Sequence, residues 1–562
     1  MNVWLQQPVD ETPLAIVPNP HTNSWRSPVL LVAVLLFSAL VILHGVTRGE
    51  FSYNVDETQH AVTGLFVADM VRDHPLIHPV QYAERYYAQY PALSGVIHWP
   101  PFFYLWEGLS FLLLGPTVVA ARLSILFFGL LGLSFFFLLA RDLHGDWTAA
   151  LATALLAVTP TVLLFEKTVM LEVPSMALAL GAIFFWQRYL LGERPRQIYW
   201  AVLLASLAML TKQNAGFLVI FFALTGLWRY GLKWLARPEV LKAFALGFAL
   251  TAPFYLAVYI THRHTLAYVV GDSRVSGVHR IMFYWEVLPG QLGRVLVAVS
   301  VLGILTAWKW EQRRHTVFLL LWLASCYLMF TAIGWMSSRF IICWIPPFIY
   351  FAASFLTNLF RVGKLRWVAP LLLIAVLGFT VHRAWAYQRP IVSGYAAAAD
   401  KIVGLGRPGV ILYDGGLPGD FIFFMRADDP KRQFIVLRKA LFAYRITSRF
   451  GGVELVHSRE ELDGTIRDNG VRFIAVSDKP LAFDSQKMLR DLVEKPPFHL
   501  VGTFPVTGND SARRDNALLI YENQNWAPPA SKFLTIKMLT ISHPIVVPFS
   551  EYKFLADPPA QK

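Results

Sequence analysis

Charge is scarce in this chain. Only 15% of its 562 residues are Asp, Glu, Lys or Arg, where a soluble globular protein carries about a quarter. That deficit excludes a string of ordinary soluble domains, although the length alone would call for several. Cysteine is scarcer still. Cys326 and Cys343 are the only two, and both stand inside apolar runs, so a disulfide framework is excluded and the redox compartment is not readable from them. Acidic residues are outnumbered, 37 against 50 basic, for a net charge of +13. This excess does not point to nucleic acid, because the basic residues gather in short loops between apolar runs, as the positive-inside rule expects. Residues 1–26 carry Asp10 and Glu11 and lack a basic leader. The apolar run from Pro28 to Val46 has no small-residue cleavage site after it, so it reads as a retained first span behind a cytoplasmic segment 1–26.

What the chain has in abundance is apolar length: 55% of it is hydrophobic. A hydrocarbon core about 30 Å thick needs about 20 apolar residues in a helix. Runs of that kind lie at 27–46, 119–140, 147–165, 173–191, 198–211, 214–229, 243–261, 291–308, 316–334, 340–358 and 368–385. The expected fold is therefore mainly α: a polytopic helical membrane protein with about eleven spans over residues 27–385. With the N-terminus in the cytoplasm, the cytoplasmic loops contain Arg141; Arg194 and Arg196; Arg229, Lys233, Arg237 and Lys242; Lys309, Arg313 and Arg314; and Arg361, Lys364 and Arg366. Each of them is basic, which is the pattern that sets orientation. The run Pro101–Gly115 would spoil that pattern if it crossed. It is short and contains Glu107, so it is expected to lie on the outer surface of the bilayer. The outer side then receives 47–118, 166–174, a turn near Lys212, 262–290, a turn near 335–339 and everything after 386.

Beyond 386 the pattern changes. Strand-like runs stand at 409–413, 433–437, 471–476 and 517–521, and Ser458 with Glu461 makes a capping-box signature stopped by Gly470. Alternating strands and helices predict an extracytoplasmic α/β domain over 386–530. Residues 531–562 are Pro-rich and expected to form a loosely ordered tail. Gly404 to Gly409 fits G-x-G-x-x-G, but it precedes its strand and contains Pro408, so it is read as a loop and not as a dinucleotide site.

Several polar residues stand in the expected outer loops. Asp56 and Glu57 follow the first span directly. A carboxylate at a membrane boundary is costly and easily perturbed, although the pair would also serve as plain first-turn acids of a helix over 58–71. His98 ends the same loop in His98-Trp99-Pro100-Pro101-Phe102-Phe103-Tyr104, where it could bind metal or phosphate or simply form a hydrogen bond. Tyr104 in the same run is a further substrate-binding candidate. Glu172 stands between two apolar runs and needs a partner, for which Lys167 is the nearest basic residue. Lys212 and Arg339 interrupt apolar hairpins on the outer side, against the basic bias, where lipid phosphates are the available anions and snorkelling to headgroups is the plain alternative. Arg274, His279 and Arg280 add positive charge to the same face.

Four of these segments, in this order, resemble the GT-C-type membrane glycosyltransferases, in the branch of the protein O-mannosyltransferases and the lipid A aminoarabinose transferase. They are Asp56-Glu57-Thr58; HWPPFFY leading to Leu114-Gly115 and Ala121-Arg122-Leu123; Met170-Leu171-Glu172-Val173-Pro174; and Leu207 to Lys212. The resemblance covers about residues 27–360. It implies transfer of a sugar from a polyprenyl-phosphate carrier to a protein, lipid or glycan acceptor on the outer face of a membrane, in a bacterium the inner one. It casts Asp56 as the catalytic carboxylate, Glu172 as the second acidic position (more often aspartate in the family) and Lys212 and Arg339 as phosphate-binding cations. His98 falls where a relative uses a carboxylate metal ligand. No cofactor is required by this reading, and a divalent metal is allowed by it. The implied partners are the lipid-linked donor and membrane lipids, with no nucleic acid. The rival class is a transporter or flippase of a lipid-linked sugar, which would keep its ionisable groups near the midplane, often in repeats; here the acids lie in loops and no repeat is visible. A non-enzymatic sensor is a third class.

Overall fold

The computed structural model describes residues 25–555 except 52–53, 76, 94–98, 193, 271–276, 311–312, 334–335, 439, 445–451, 480, 511–514 and 537–543. His98 and Arg274 lie outside the described residues. All eleven apolar runs are helical. The N-terminal half of the bundle comprises α1 (Arg26–Leu43), α2 (Val55–Asp73), α3 (Pro79–Gln89), α4 (Phe102–Leu114), α5 (Val118–His144), α6 (Asp146–Ala157), α7 (Pro160–Glu166) and α8 (Glu172–Leu190). It continues with α9 (Gln197–Met209), α10 (Phe217–Tyr230), α11 (Pro238–Val270), α12 (Gly277–Leu292), α13 (Arg294–Trp310), α14 (Arg313–Ala332), α15 (Ile345–Asn358) and α16 (Ala369–Ala386).

Six helical stretches among the described residues are each long and apolar enough to cross a membrane, and two bent pairs would add two more. The expectation of about eleven spans thus divides into long single helices and shorter or broken ones. α6 and α7 meet at 67°, and α12 and α13 at 115°. The first break falls at Pro160, whose ring cannot continue a helix from the preceding turn; the second falls at Gly293, where φ is +88°, a backbone state that glycine adopts without a Cβ penalty. This corrects one expectation. The segment 262–290 is not an open loop: α11 runs on to Val270 and α12 begins at Gly277. Its sequence, VHRIMFYWEVL, carries apolar residues at helical spacing behind two cations, and that spacing is what the loop reading passed over.

α4 is a short helix with one buried face. Phe103, Tyr104, Glu107, Gly108 and Phe111 are buried, while Leu105, Leu109 and Leu113 are exposed. Its buried face packs on α2, so the helix that begins beside Asp56 is held against the bundle by another helix.

The C-terminal part is an α/β domain. Its helices are α17 (Tyr395–Gly404), α18 (Pro418–Asp428), α19 (Arg459–Asp468) and α20 (Asp484–Val493). Its strands are β1 (Val392–Ser393), β2 (Gly409–Asp414), β3 (Phe434–Leu437), β4 (Phe442–Tyr444), β5 (Gly452–Glu454), β6 (Val471–Ser477), β7 (Phe498–Pro505), β8 (Thr507–Gly508), β9 (Ala517–Asn523), β10 (Phe533–Ile536) and β11 (Ile545–Pro548). The main sheet runs β3-β2-β6-β9-β7. β2 pairs in parallel with β3 and β6, and β9 antiparallel with β6 and β7. Helices connect the parallel strands, as such connections require. The four strand-like runs of the sequence are β2, β3, β6 and β9. Ser458 caps α19 by accepting from the Glu461 amide at 3.2 Å, and Glu461 accepts in return from His457, one residue before the expected Ser458. The tail is more ordered than expected over its described residues. β10 and β11 pair antiparallel, because alternate residues Leu534 and Ile536 are apolar and buried, which is the pattern of a half-buried strand.

Candidate active site

The site begins at the N-terminus of α2. Asn54 is extended and its side-chain oxygen accepts from the amides of Asp56 at 3.0 Å and Glu57 at 3.2 Å. This is an N-cap, which satisfies two donors that a helix start leaves free. The cap places Asp56 and Glu57 in the first turn, about 100° apart around the helix, and their surroundings differ accordingly. Glu57 is fully buried and its Oε1 accepts from the Val169 amide at 3.0 Å; it ties the 167–171 connection to α2. Asp56 faces the other way and remains 19% exposed.

Three further charges converge on Asp56 from distant segments. Arg339 Nη2 lies 2.7 Å from Asp56 Oδ2, and Arg339 Nε lies 3.8 Å from Glu172 Oε1. Lys212 Nζ donates to the same Glu172 oxygen at 2.5 Å, with both side chains sealed from solvent at 3% and 0%. Two carboxylates and two cations thus form one chain of contacts, Asp56–Arg339–Glu172–Lys212. Removing either member of a buried pair leaves an uncompensated charge, so each holds the other in place. The aromatic rings of Trp99 and Phe340 stand 5.8 and 5.9 Å from Lys212 Nζ, within the range of cation–π attraction.

Burial by itself would raise the Asp56 carboxyl. The charge of Arg339 and, more weakly, of Lys212 overcomes it, and the carboxyl is held below its usual range. His60 lies one turn further along α2. Its Nδ1 pairs with the Tyr104 hydroxyl at 2.7 Å and its ring meets Trp99 edge-on. Burial lowers this imidazole to about 3, so it is neutral at physiological pH. The Arg339 loop is pinned from two sides. Asn214 Nδ2 donates to the Phe340 carbonyl at 3.1 Å, and Gln291 Nε2 donates to the Ser338 carbonyl at 2.5 Å while its Oε1 accepts from Trp344 at 2.8 Å.

Of the residues singled out in the sequence, Asp56, Glu172, Lys212 and Arg339 are joined directly. Tyr104 is buried and reaches the site through His60. Glu57 is next to the site but turned away from it. His279 is exposed on α12 against Phe283, at 6.2 Å between ring centroids, and Arg280 is half-buried beside it; no described contact joins either to the cluster. The pairing of Glu172 with Lys167 is corrected. Lys167 Nζ donates to the His44 carbonyl at 3.2 Å, because the chain turns after α7 and sends Lys167 towards α1 while Glu172 opens α8 facing the end of α9. His60, Asn54, Asn214 and Gln291 were not singled out. His60 was the legible one, since i and i+4 share a helix face. Among the described residues no group of three or more His, Cys, Asp or Glu side chains is placed to hold a metal ion. The two acids of the site, Asp56 and Glu172, are each taken by a cation.

A family model described as dolichyl-phosphate-mannose-protein mannosyltransferase matches residues 98–256. An uncharacterized protein of Aquifex aeolicus (strain VF5) is 24% identical over 278 residues, 48% of this chain and 55% of that protein; the chain thus spans about half the length of this curated relative. Among solved structures, ArnT from Cupriavidus metallidurans bound to undecaprenyl phosphate superposes with a TM-score of 0.59 at 16% identity, over 89% of this chain and 98% of that one. The arabinofuranosyltransferase AftD from Mycobacteria gives 0.55 at 16% identity, over 89% and 42%. The Archaeoglobus fulgidus oligosaccharyltransferase gives 0.53 at 12% identity, over 81% and 70%. The chain is an integral membrane protein with the fold of the GT-C-type membrane glycosyltransferases.

Proposed function

We propose that the protein transfers a sugar from a polyprenyl-phosphate carrier to an acceptor on the outer face of the membrane, with Asp56 as general base. The observation that carries this reading is the chain Asp56–Arg339–Glu172–Lys212: an accessible, ionised carboxylate beside two cations at the ends of membrane helices. Asp56 takes the proton of the acceptor hydroxyl. The acceptor oxygen forms a bond to the anomeric carbon as the bond from that carbon to the phosphate oxygen breaks, and the electron pair leaves on the phosphate. Arg339 and Lys212 stabilise the charge that develops there, and Glu172 keeps Lys212 in position. A positioned base contributes about 10²–10⁴-fold. ArnT, a structural relative aligned over 89% of this chain and 98% of its own, is bound to undecaprenyl phosphate, which supports a lipid-phosphate donor here.

The test is incubation of purified protein with a panel of radiolabelled polyprenyl-phosphate sugars, scored for loss of donor. Consumption of one or more by wild type and not by Asp56→Asn is the expected result. A folded wild type that consumes none of them, with acceptor extracts supplied, would sink the reading.

A further inference from the structure

The α1–α2 junction, residues 45–51, is a polar connection that must place Asp56, and it is held largely from outside itself. Arg122 on α5 is 2% exposed and donates to the carbonyls of Val46, Arg48, Gly49 and Glu50. Besides the turn bonds from the Val46 amide to Leu43 and from the Arg48 amide to Gly45, the other hydrogen bonds described for it come from the C-terminal domain or its linker. Arg389 donates to the carbonyls of Gly45 and Arg48. The Glu50 amide donates to the Val392 carbonyl at 2.7 Å. The Glu50 carboxylate accepts from the amides of Gly394, Tyr395 and Ala396 at 2.9–3.2 Å, at the start of α17. Asp420 Oδ1 accepts from the Phe51 amide at 3.1 Å.

The first turn of α18 also abuts α2 itself. A Cβ added to Gly419 would fall 1.8 Å from Thr58 Oγ1 and 2.5 Å from Thr58 Cβ. The second distance is to an atom fixed to the backbone, so a side chain at 419 forces apart the first turns of α18 and α2, and Asp56 stands two residues before Thr58. Neither Gly419 nor Asp420 belongs to a strand of the C-terminal sheet, and neither touches the charges of the site.

We propose that the C-terminal domain acts as a brace for the site, with Gly419 and Asp420 as positioning residues that set where Asp56 stands. The proposal rests on the reading of Asp56 as the base. A displacement of about 1 Å in such a group can cost about 10²-fold in rate, and the seven-residue connection has one core side chain, Phe51, which packs on Phe423 of α18. The domain supplies that precision through backbone hydrogen bonds and one steric contact.

The experiment uses the full chain in detergent or nanodiscs and three variants: Gly419→Ala, Thr58→Gly, and the double. For the donor that the wild type consumes, Gly419→Ala is expected to lower kcat at least about tenfold with donor KM little changed, and Thr58→Gly to restore kcat when combined with it, because it removes the opposing Cβ. Hydrogen exchange of peptides covering 45–60 is read in parallel. It is expected to rise in Gly419→Ala, to return in the double, and to stay unchanged in β2 and β6. Unchanged kcat and exchange in Gly419→Ala overturn the brace, and so does a loss that the double fails to restore or a rise in exchange across the whole domain. If the wild type consumes no donor, the functional reading fails, and the exchange pattern alone decides the brace.

Discussion

α2 carries an acid–cation pair at each end, and the two are built differently. At the N-terminal end Asp56 meets Arg339 through one contact of 2.7 Å, and each side chain stays 19% exposed. At the C-terminal end Asp69 receives Arg426 through both oxygens, at 2.7 and 2.5 Å, with the Tyr86 hydroxyl adding a third bond at 2.9 Å. That pair is sealed, and one turn later Asp73 and Arg432 repeat the two-pronged geometry. A carboxylate whose oxygens are all taken inside the chain has nothing left for a ligand; it joins the bundle to the C-terminal domain. A carboxylate held at one edge keeps lone pairs for an incoming proton. The same residue types on one helix are therefore fully satisfied at one end and left open at the other, where the proposed base stands, and satisfaction, not charge, separates them.

The largest effect that would break this comparison is at Asp56. Asp56→Asn keeps the shape, removes the charge, and is expected to lower donor turnover by about 10²–10⁴-fold while leaving the melting temperature and donor binding near wild type. Retention of more than about a tenth of the rate, a loss below about 1.4 kcal/mol, would make Asp56 a partner for Arg339 and nothing more. Asp69→Ala should do the reverse. It leaves the Arg426 guanidinium buried without its partner and is expected to cost about 3–5 kcal/mol of stability, read by thermal or denaturant unfolding in detergent, with turnover per folded molecule unchanged. A drop in turnover without a drop in stability would erase the distinction between the two ends.

Arg339→Met sharpens the comparison through pH. In the wild type Arg339 is the strongest influence opposing burial at Asp56. The ionised form, and with it turnover, therefore persists as pH falls until that lowered value is passed. Without Arg339 the largest influence opposing burial is gone, the Asp56 value rises, and the acid limb of the pH–rate profile moves to higher pH. A limb that stays in place would detach Arg339 from the base. The smallest effect is expected for Glu57→Gln. Its oxygen can still accept from the Val169 amide, so turnover should fall little; a loss as large as that of Asp56→Asn would return Glu57 to the chemistry.

Much of this was legible from residue order. The apolar runs, the short apolar stretch that becomes α4, the strands at 409–413 and 471–476 and the Ser458 cap are local patterns, and local patterns survive into the structure. Asp56, Glu172, Lys212 and Arg339 could be singled out because each interrupts an apolar context. Their partners could not. Lys167 is nearest to Glu172 in the chain and Lys212 is 40 residues away, yet Lys212 holds it. The brace was equally hidden: Asp420 and the Phe51 amide are 369 residues apart, and Gly419 has no side chain to announce a contact.

The sequence by itself determined that this chain enters a membrane, which segments are helical and which polar residues stand at their ends, because hydropathy and periodicity are properties of neighbours. Only the tertiary structure decided which acid meets which cation, which pair is sealed and which stays open, and which domain steadies Asp56. Coulomb energy, hydrogen bonding and steric fit fall off within a few ångströms, and distances between helices far apart in the chain exist only after they have packed.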